Sequence, residues 1–315
     1  MRRWLCRACL LLLACASFPA APATDTETLW SNGSRLELRI SPEFSRSARR
    51  DVREWIVFSA GALEQVFGRW PRKKWVVSVS PLSASGTDPI PWAQVHREER
   101  DRVEFYVAPQ ASLDQLKSAW TGYHELAHLL LPYRGWGDTW FSEGLATYYQ
   151  NLLQVRSGVI DDARLWQNLY EGFERGRADA AFDGQPLEEV SSNMRKQGGF
   201  MRVYWSGAWY FLKVDTRLRR QSGGALTLDR ALQKLNECCG EQRLSVQQIV
   251  ERLDRLNQVY LFTPLYEKMR QSGAMPDYTD LFASLGVSVT PGGTALAATG
   301  PGAALRRQIA NPGTL

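Results

Sequence analysis

Two histidines four positions apart, with a glutamate fifteen positions beyond the second, constrain this chain more than anything else in it. His124 and His128 lie in Y-H-E-L-A-H-L-L-L-P, and Glu143 lies in W-F-S-E-G-L-A-T-Y-Y. On an α-helix, residues at i and i+4 differ by about 40° and one turn, so both imidazoles project from one face. The apolar run from Leu113 to Leu131 must stop at Pro132, because proline has no N–H and pushes its predecessor out of the α region. A Gly-rich turn from Arg134 to Asp138 follows, and helical pattern resumes from Thr139 to Arg156, which predicts an antiparallel helical hairpin. Glu143, just over one turn into the second helix, then faces the turns that carry the histidines. Gly144 removes a side chain where the hairpin helices are expected to be closest.

Two imidazoles and a carboxylate, with a fourth position left open, are the donor set of a catalytic zinc site. The expected cofactor is one zinc ion per chain, held by His124, His128 and Glu143. Glu125 sits about 100° round the helix from His124, beside the metal, where it can act as base toward an attacking water. Asp138 in the turn is the alternative third ligand. The remaining histidine, His96, lies far upstream and reads as an ordinary residue of a strand edge.

The segments H-E-L-A-H and W-F-S-E-G-L-A-T-Y-Y resemble the gluzincin zinc metallopeptidases, and among these the glycyl aminopeptidase family. In those enzymes a glutamate in an E-G-[LF]-[AT] setting is the third zinc ligand. The resemblance implies hydrolysis of peptide bonds, with a peptide or protein as substrate. It also implies an α+β, thermolysin-like two-lobed catalytic domain, a small β-containing lobe followed by a mainly helical one. A second match lies in Met201 to Leu212, where Tyr204 and Gly207 fit the family's Y-x-x-G-A segment, so the resemblance gives Tyr204 the role of donor to the oxyanion.

Two departures from the family stand out. The spacing between His128 and Glu143 is shorter than in the aminopeptidases, which implies a trimmed interhelical loop. The Gly-rich motif whose glutamate binds a substrate's free amine is not found between Trp75 and Val107. The nearest acids, Glu98 and Glu99, fall in R-E-E-R-D-R, a charge cluster that reads as a solvated turn. Internal cleavage of extended peptides is therefore expected over removal of N-terminal residues. Two other readings remain, a peptidase-fold scaffold without turnover and a zinc hydrolase of non-peptide substrates. The first is disfavoured by the intact His124, Glu125, His128 and Glu143.

The rest of the chain divides accordingly. Residues 1–23 read as a signal peptide, with basic Arg2, Arg3 and Arg7, an apolar run from Leu10 to Ala16, and Ala21-Pro22-Ala23 as cleavage site. Leu12-Leu13-Ala14-Cys15 gives a competing lipobox reading, in which Cys15 carries a lipid anchor. Either way export is expected, to a bacterial periplasm or outer membrane. Without the three leader arginines the formal charge falls from +5 to +2, which argues against a nucleic-acid partner. Of five cysteines only Cys238 and Cys239 lie beyond the leader. Adjacent cysteines meet disulfide geometry with difficulty, so the fold is not a disulfide scaffold, and the pair reads as structural or incidental, with a strained vicinal bridge as the alternative.

Residues 24–110 are expected to form an α/β lobe. Its strands are expected at Arg35 to Ile40, Trp75 to Val79, Trp92 to His96 and Val103 to Val107, and its helix from Ser45 to Phe67. Residues 111–289 form the helical zinc-binding lobe, with Ala180 to Gln197 as a polar connection. Residues 290–315, rich in Gly, Ala and Pro, read as a mobile tail with no PDZ module. Oligomeric state has no signature in the sequence.

Overall fold

The computed structural model describes residues 25–83 and 86–311. The leader, with Cys15 and both of its readings, and residues 312–315 lie outside them. The described chain is a mixed α+β structure, a small sheet followed by a mainly helical region.

Strand β1 (Asp25–Ser31) and strand β2 (Ser34–Ile40) form an antiparallel hairpin. Its turn places Asn32 and Gly33 at φ 42° and 77°, the positive-φ pair that a tight hairpin requires. In β2, Leu36, Leu38 and Ile40 alternate inward. Helix α1 (Arg46–Glu64) starts at Ser45, whose hydroxyl accepts from the Ala48 N–H, and buries Val52, Trp55, Ile56 and Leu63 against the sheet core. Strands β3 (Lys74–Pro81), β4 (Trp92–Arg97) and β5 (Asp101–Val107) complete a sheet of order β1-β2-β3-β5-β4, parallel in the middle and antiparallel at both edges. β4 is thus an edge strand. β1, half polar and with an exposed Trp30, carries too weak an alternation to read as a strand from sequence.

The expected single helix from Leu113 to Leu131 is broken. Helix α2 (Leu113–Ser118) carries the capping box of Ser112 and Gln115, Ala119 is extended at ψ 124°, and α3 (Trp120–Ala127) then runs into a 3-10 turn, His128–Leu130. Side chains take up the carbonyls that the break releases: Tyr123 Oη donates to Lys117 O (2.8 Å) and Gln154 Nε2 to Ser118 O (3.1 Å).

Helix α4 (Thr139–Arg156) has the bounds read from sequence and is buried nearly all round, as a central helix must be. After α5 (Asp162–Ala178) comes α6 (Leu187–Gln197), where a connection was expected. Its apolar face is only Leu187, Val190 and Met194, too sparse a stripe to outweigh its polar composition. Helix α7 (Phe200–Gln221) crosses α4, and the two meet at Gly144 and Gly207. A Cβ on Gly144 would lie 2.2 Å from Gly207 Cα. The small residue therefore serves the approach of α7, and not the approach within the hairpin that the sequence suggested.

Helices α8 (Leu228–Cys239), α9 (Val246–Asn257), α10 (Phe262–Arg270) and α11 (Thr279–Ala283) follow. Cys238 and Cys239 are joined as a vicinal disulfide. Most of the expected mobile tail is instead ordered. Strands β6 (Val287–Thr290) and β7 (Gly293–Leu296) form a hairpin, and α12 (Pro301–Ala310) buries Ala303, Leu305 and Ile309. Arg306 Nε on α12 donates to Asp162 (3.2 Å), and Arg156 Nη2 donates to Ile309 O (3.2 Å), so a segment of low apolar content is held by polar links to α4 and α5. Among the described residues no helix is long and apolar enough to cross a membrane.

Candidate metal centre and active site

His124 lies in α3, His128 opens the 3-10 turn, and the His128 N–H still donates to His124 O, so the one-turn spacing of the imidazoles survives the change of helix type. Glu143 comes from the second turn of α4. Its Oε2 lies 3.2 Å from His124 Nε2 and 3.5 Å from His128 Nε2, and the donor atoms of all three residues fall within 4.8 Å of one another. Tetrahedral zinc with bonds of about 2.05 Å needs ligand atoms about 3.3 Å apart, and these separations bracket that value.

The other ring nitrogens are already engaged. His124 Nδ1 donates to Gln150 Oε1 (2.9 Å), and His128 Nδ1 meets Ser142 Oγ (3.0 Å). An amide oxygen only accepts, so Nδ1 carries a proton toward Gln150 and Nε2 is the nitrogen turned to Glu143 and the site. Ser142 and Gln150 were missed in the sequence. The available signal was position, since Ser142 adjoins Glu143 and Gln150 lies seven residues further along the same helix face.

The electrostatics agree with this arrangement. Burial opposes charge on His124, but the Glu143 carboxylate, with Glu125 and Gln150, more than offsets it and raises the imidazole above its ordinary 6.5. Burial would raise Glu143, yet the two imidazoles hold it well below the usual carboxylate range. Burial pushes the Glu125 carboxyl up against the lowering effect of the same imidazoles. The Tyr204 ring stacks on His124 (5.9 Å between centroids, 15° between planes). Burial and the charges of Glu143 and Glu125 keep its phenol far above its ordinary value, so it stays a donor.

The sequence candidates thus divide. His124, Glu125, His128, Glu143 and Tyr204 line one cleft of 470 Å³, together with Ala93, Gln94 and Val95 of β4. His96 does not join them; its Nε2 lies 3.0 Å from Glu104 Oε2. Asp138 is the left-handed N-cap residue of α4 and accepts from Tyr266 Oη (3.0 Å), away from the three-donor cluster.

Glu98 and Glu99 are exposed, but the cluster around them is only partly a solvated turn. Asp101 is buried and binds Arg72 Nε (2.6 Å), Arg243 Nη2 (2.7 Å) and Arg97 Nη1 (3.2 Å). Arg97 in turn donates to His128 O (2.6 Å), and burial lowers its guanidinium to about 10. The edge strand is fastened in this way to the second histidine.

Two imidazoles and a carboxylate converging from a helical hairpin, with a second carboxylate beside them and a phenol across from them, are a donor set that fits a zinc ion with an open position. Residues 136–222 match the M61 glycyl aminopeptidase family, a segment that includes Glu143 and Tyr204 and begins after His128. Among solved structures the chain is similar to an aminopeptidase N family protein from Idiomarina loihiensis, at 17% identity and a TM-score of 0.62, over 84% of this chain and 50% of that one. It is also similar to an M1 zinc metallopeptidase from Deinococcus radiodurans, at 15% identity and a TM-score of 0.48, over 80% of this chain and 52% of that one. The first carries the likeness of fold; the second is too distant to add to it. The chain spans about half the length of each. Among curated proteins none matches it.

Proposed function

We propose that this chain is a zinc-dependent peptidase that cuts extended peptides internally, in a thermolysin-like cleft between β4 and the helical region. The observation that carries the reading is the convergence of His124, His128 and Glu143 with Glu125 and Tyr204 in one cleft. Zinc, when bound, would supply Lewis acidity, polarising the scissile carbonyl and making water a nucleophile near neutral pH. Glu125, raised by burial, accepts a proton from the attacking water and returns it to the leaving amine. Tyr204 Oη donates to the oxygen on which charge develops, an interaction worth roughly 3 kcal/mol for a preorganised donor. Ser142 and Gln150 fix the imidazole planes.

Internal cleavage is supported by what lines the cleft. Its only acids among the described residues are Glu125 and Glu143, both committed to the reaction, and its other charged residues are Arg97 and Arg195. A substrate's α-ammonium enclosed there would have no free carboxylate to pair with, which is costly. An extended chain instead meets the unpaired outer edge of β4. Export, to a periplasm or to an outer membrane through a lipid on Cys15, remains part of the proposal on the strength of the leader's composition.

The test compares a peptide with its N-acetylated twin, with and without chelator. Both should be cut at the same internal bond, and chelator or Glu125→Gln should stop cleavage, the variant keeping its zinc. Products released one residue at a time from the free peptide alone would overturn the internal reading. Intact zinc with no turnover on any peptide would favour the scaffold.

A further inference from the structure

His124 and Tyr204 line two cavities. One is the cleft; the other, of 580 Å³, is a groove lined from α4, α5, the start of α7 and the α2–α3 junction, with the exposed Trp120, Arg164 and Arg175 at its rim. Its amides are largely committed to one another and to the backbone. Asn151 Nδ2 donates to Thr147 O (3.0 Å), Asn168 Nδ2 to Asn151 Oδ1 (3.2 Å) and Gln154 Nε2 to Ser118 O (3.1 Å).

One arginine of the lining stands outside any ion pair. Arg175 forms no ion pair with a carboxylate among the described residues; its guanidinium lies 5.2 Å over the Trp205 ring. That ring is itself held fast, since a Cβ on Gly172 would sit 2.1 Å from it. The one acid lining the cavity, Glu171, already accepts from Gln167 Nε2 (3.0 Å) and lies 3.8 Å from Arg164. Positive charge therefore exceeds negative in this lining, with Arg164 and Arg175 against Glu171.

We propose that this cavity receives the carboxylate side chain of a substrate residue flanking the scissile bond, with Arg175 as the residue that recognises it. The inference rests on the peptidase reading, because it takes His124 and Tyr204, which line both cleft and groove, as the point past which a side chain next to the scissile bond would extend toward Arg175. A guanidinium pre-oriented on an aromatic face and free of a carboxylate is suited to such a group.

The test uses zinc-loaded Glu125→Gln protein and calorimetric titration with N-acetylated, C-amidated pentapeptides. The peptides carry Glu, Gln or Lys at one position, scanned along the chain. At one flanking position Glu should bind at least about tenfold more tightly than Gln, with Lys weakest. Arg175→Gln should abolish the Glu over Gln difference without loss of zinc, and Arg175→Lys should restore part of it. Equal binding of the three peptides, no measurable binding of any, or full discrimination in Arg175→Gln would overturn the inference. Selective binding of Glu peptides with no hydrolysis by the native zinc protein would instead overturn the peptidase reading and leave the cavity assignment standing. Hydrolysis without selectivity would do the reverse.

Discussion

Replacing Gly144 with alanine tests whether the crossing of α4 and α7 sets the geometry of catalysis. The new Cβ would lie 2.2 Å from Gly207 Cα and 2.3 Å from Gly207 C, whereas ordinary contact begins near 3.4 Å, so the helices must part by about 1.2 Å. Two effects oppose each other in stability. Alanine is the better helix former by about 1 kcal/mol, and overpacking costs about 1–3 kcal/mol, so the net loss is about 0–2 kcal/mol and a few degrees in Tm. Activity should suffer far more. Tyr204 rides on α7, one turn before Gly207, while the metal ligands all belong to the hairpin. A displacement of about 1 Å at a reacting group costs about a hundredfold. The expected result is a zinc content equal to the parent's with kcat/KM down about a hundredfold, measured by elemental analysis and peptide hydrolysis. Gly61→Ala, on an exposed part of α1 with open space around it, is the control and should leave activity unchanged with a small gain in Tm. A Gly144→Ala protein that gains stability and keeps full activity would refute the argument that this crossing positions Tyr204.

Three further outcomes are expected. Ser142→Ala and Gln150→Leu should each weaken zinc binding by about 10- to 100-fold in competition with a chelating dye, because each frees an imidazole to rotate. Asp101→Asn should destabilise the protein by about 3–5 kcal/mol in urea unfolding, since it strands the buried guanidiniums of Arg72 and Arg97 and removes the partner of Arg243. In chelator, His124, whose pKa lies above 6.5 in the folded protein, contributes stability that is fully present below 6.5 and is lost as pH rises through the folded value. The metal-free Tm should therefore fall from pH 6 to pH 8. Zinc-loaded protein should move the opposite way, because protons compete with the metal; parallel trends would show that His124 has no acidic partner in the metal-free fold.

The legibility of the chain followed the range of the forces involved. His124, Glu125, His128 and Glu143 could be read because helix periodicity fixes where neighbours on one helix point, and Pro132 fixes where that helix ends. Tyr204 was legible only through the family resemblance; nothing in its local sequence sets it apart from the packed aromatics around it. Asp101 was misread because its partners lie up to 142 residues away, and a dense run of charge looks the same whether solvated or buried. Helix α12 was lost for a similar reason. Its few apolar residues suffice because Arg306 and Arg156 tie it down, and long-range polar links leave no period in a sequence.

The metal donors and the groups that orient them all lie between His124 and Gln150, with His124 and Glu143 separated by only 19 positions. Contacts this local close early, because the loop entropy to be overcome is small. Tyr204 reaches the site only after two more helices have been laid down. Refolding with cobalt in place of zinc should accordingly show the metal's colour ahead of hydrolytic activity. A chain emerging from its amino end would hold metal before it holds the residue needed to use it.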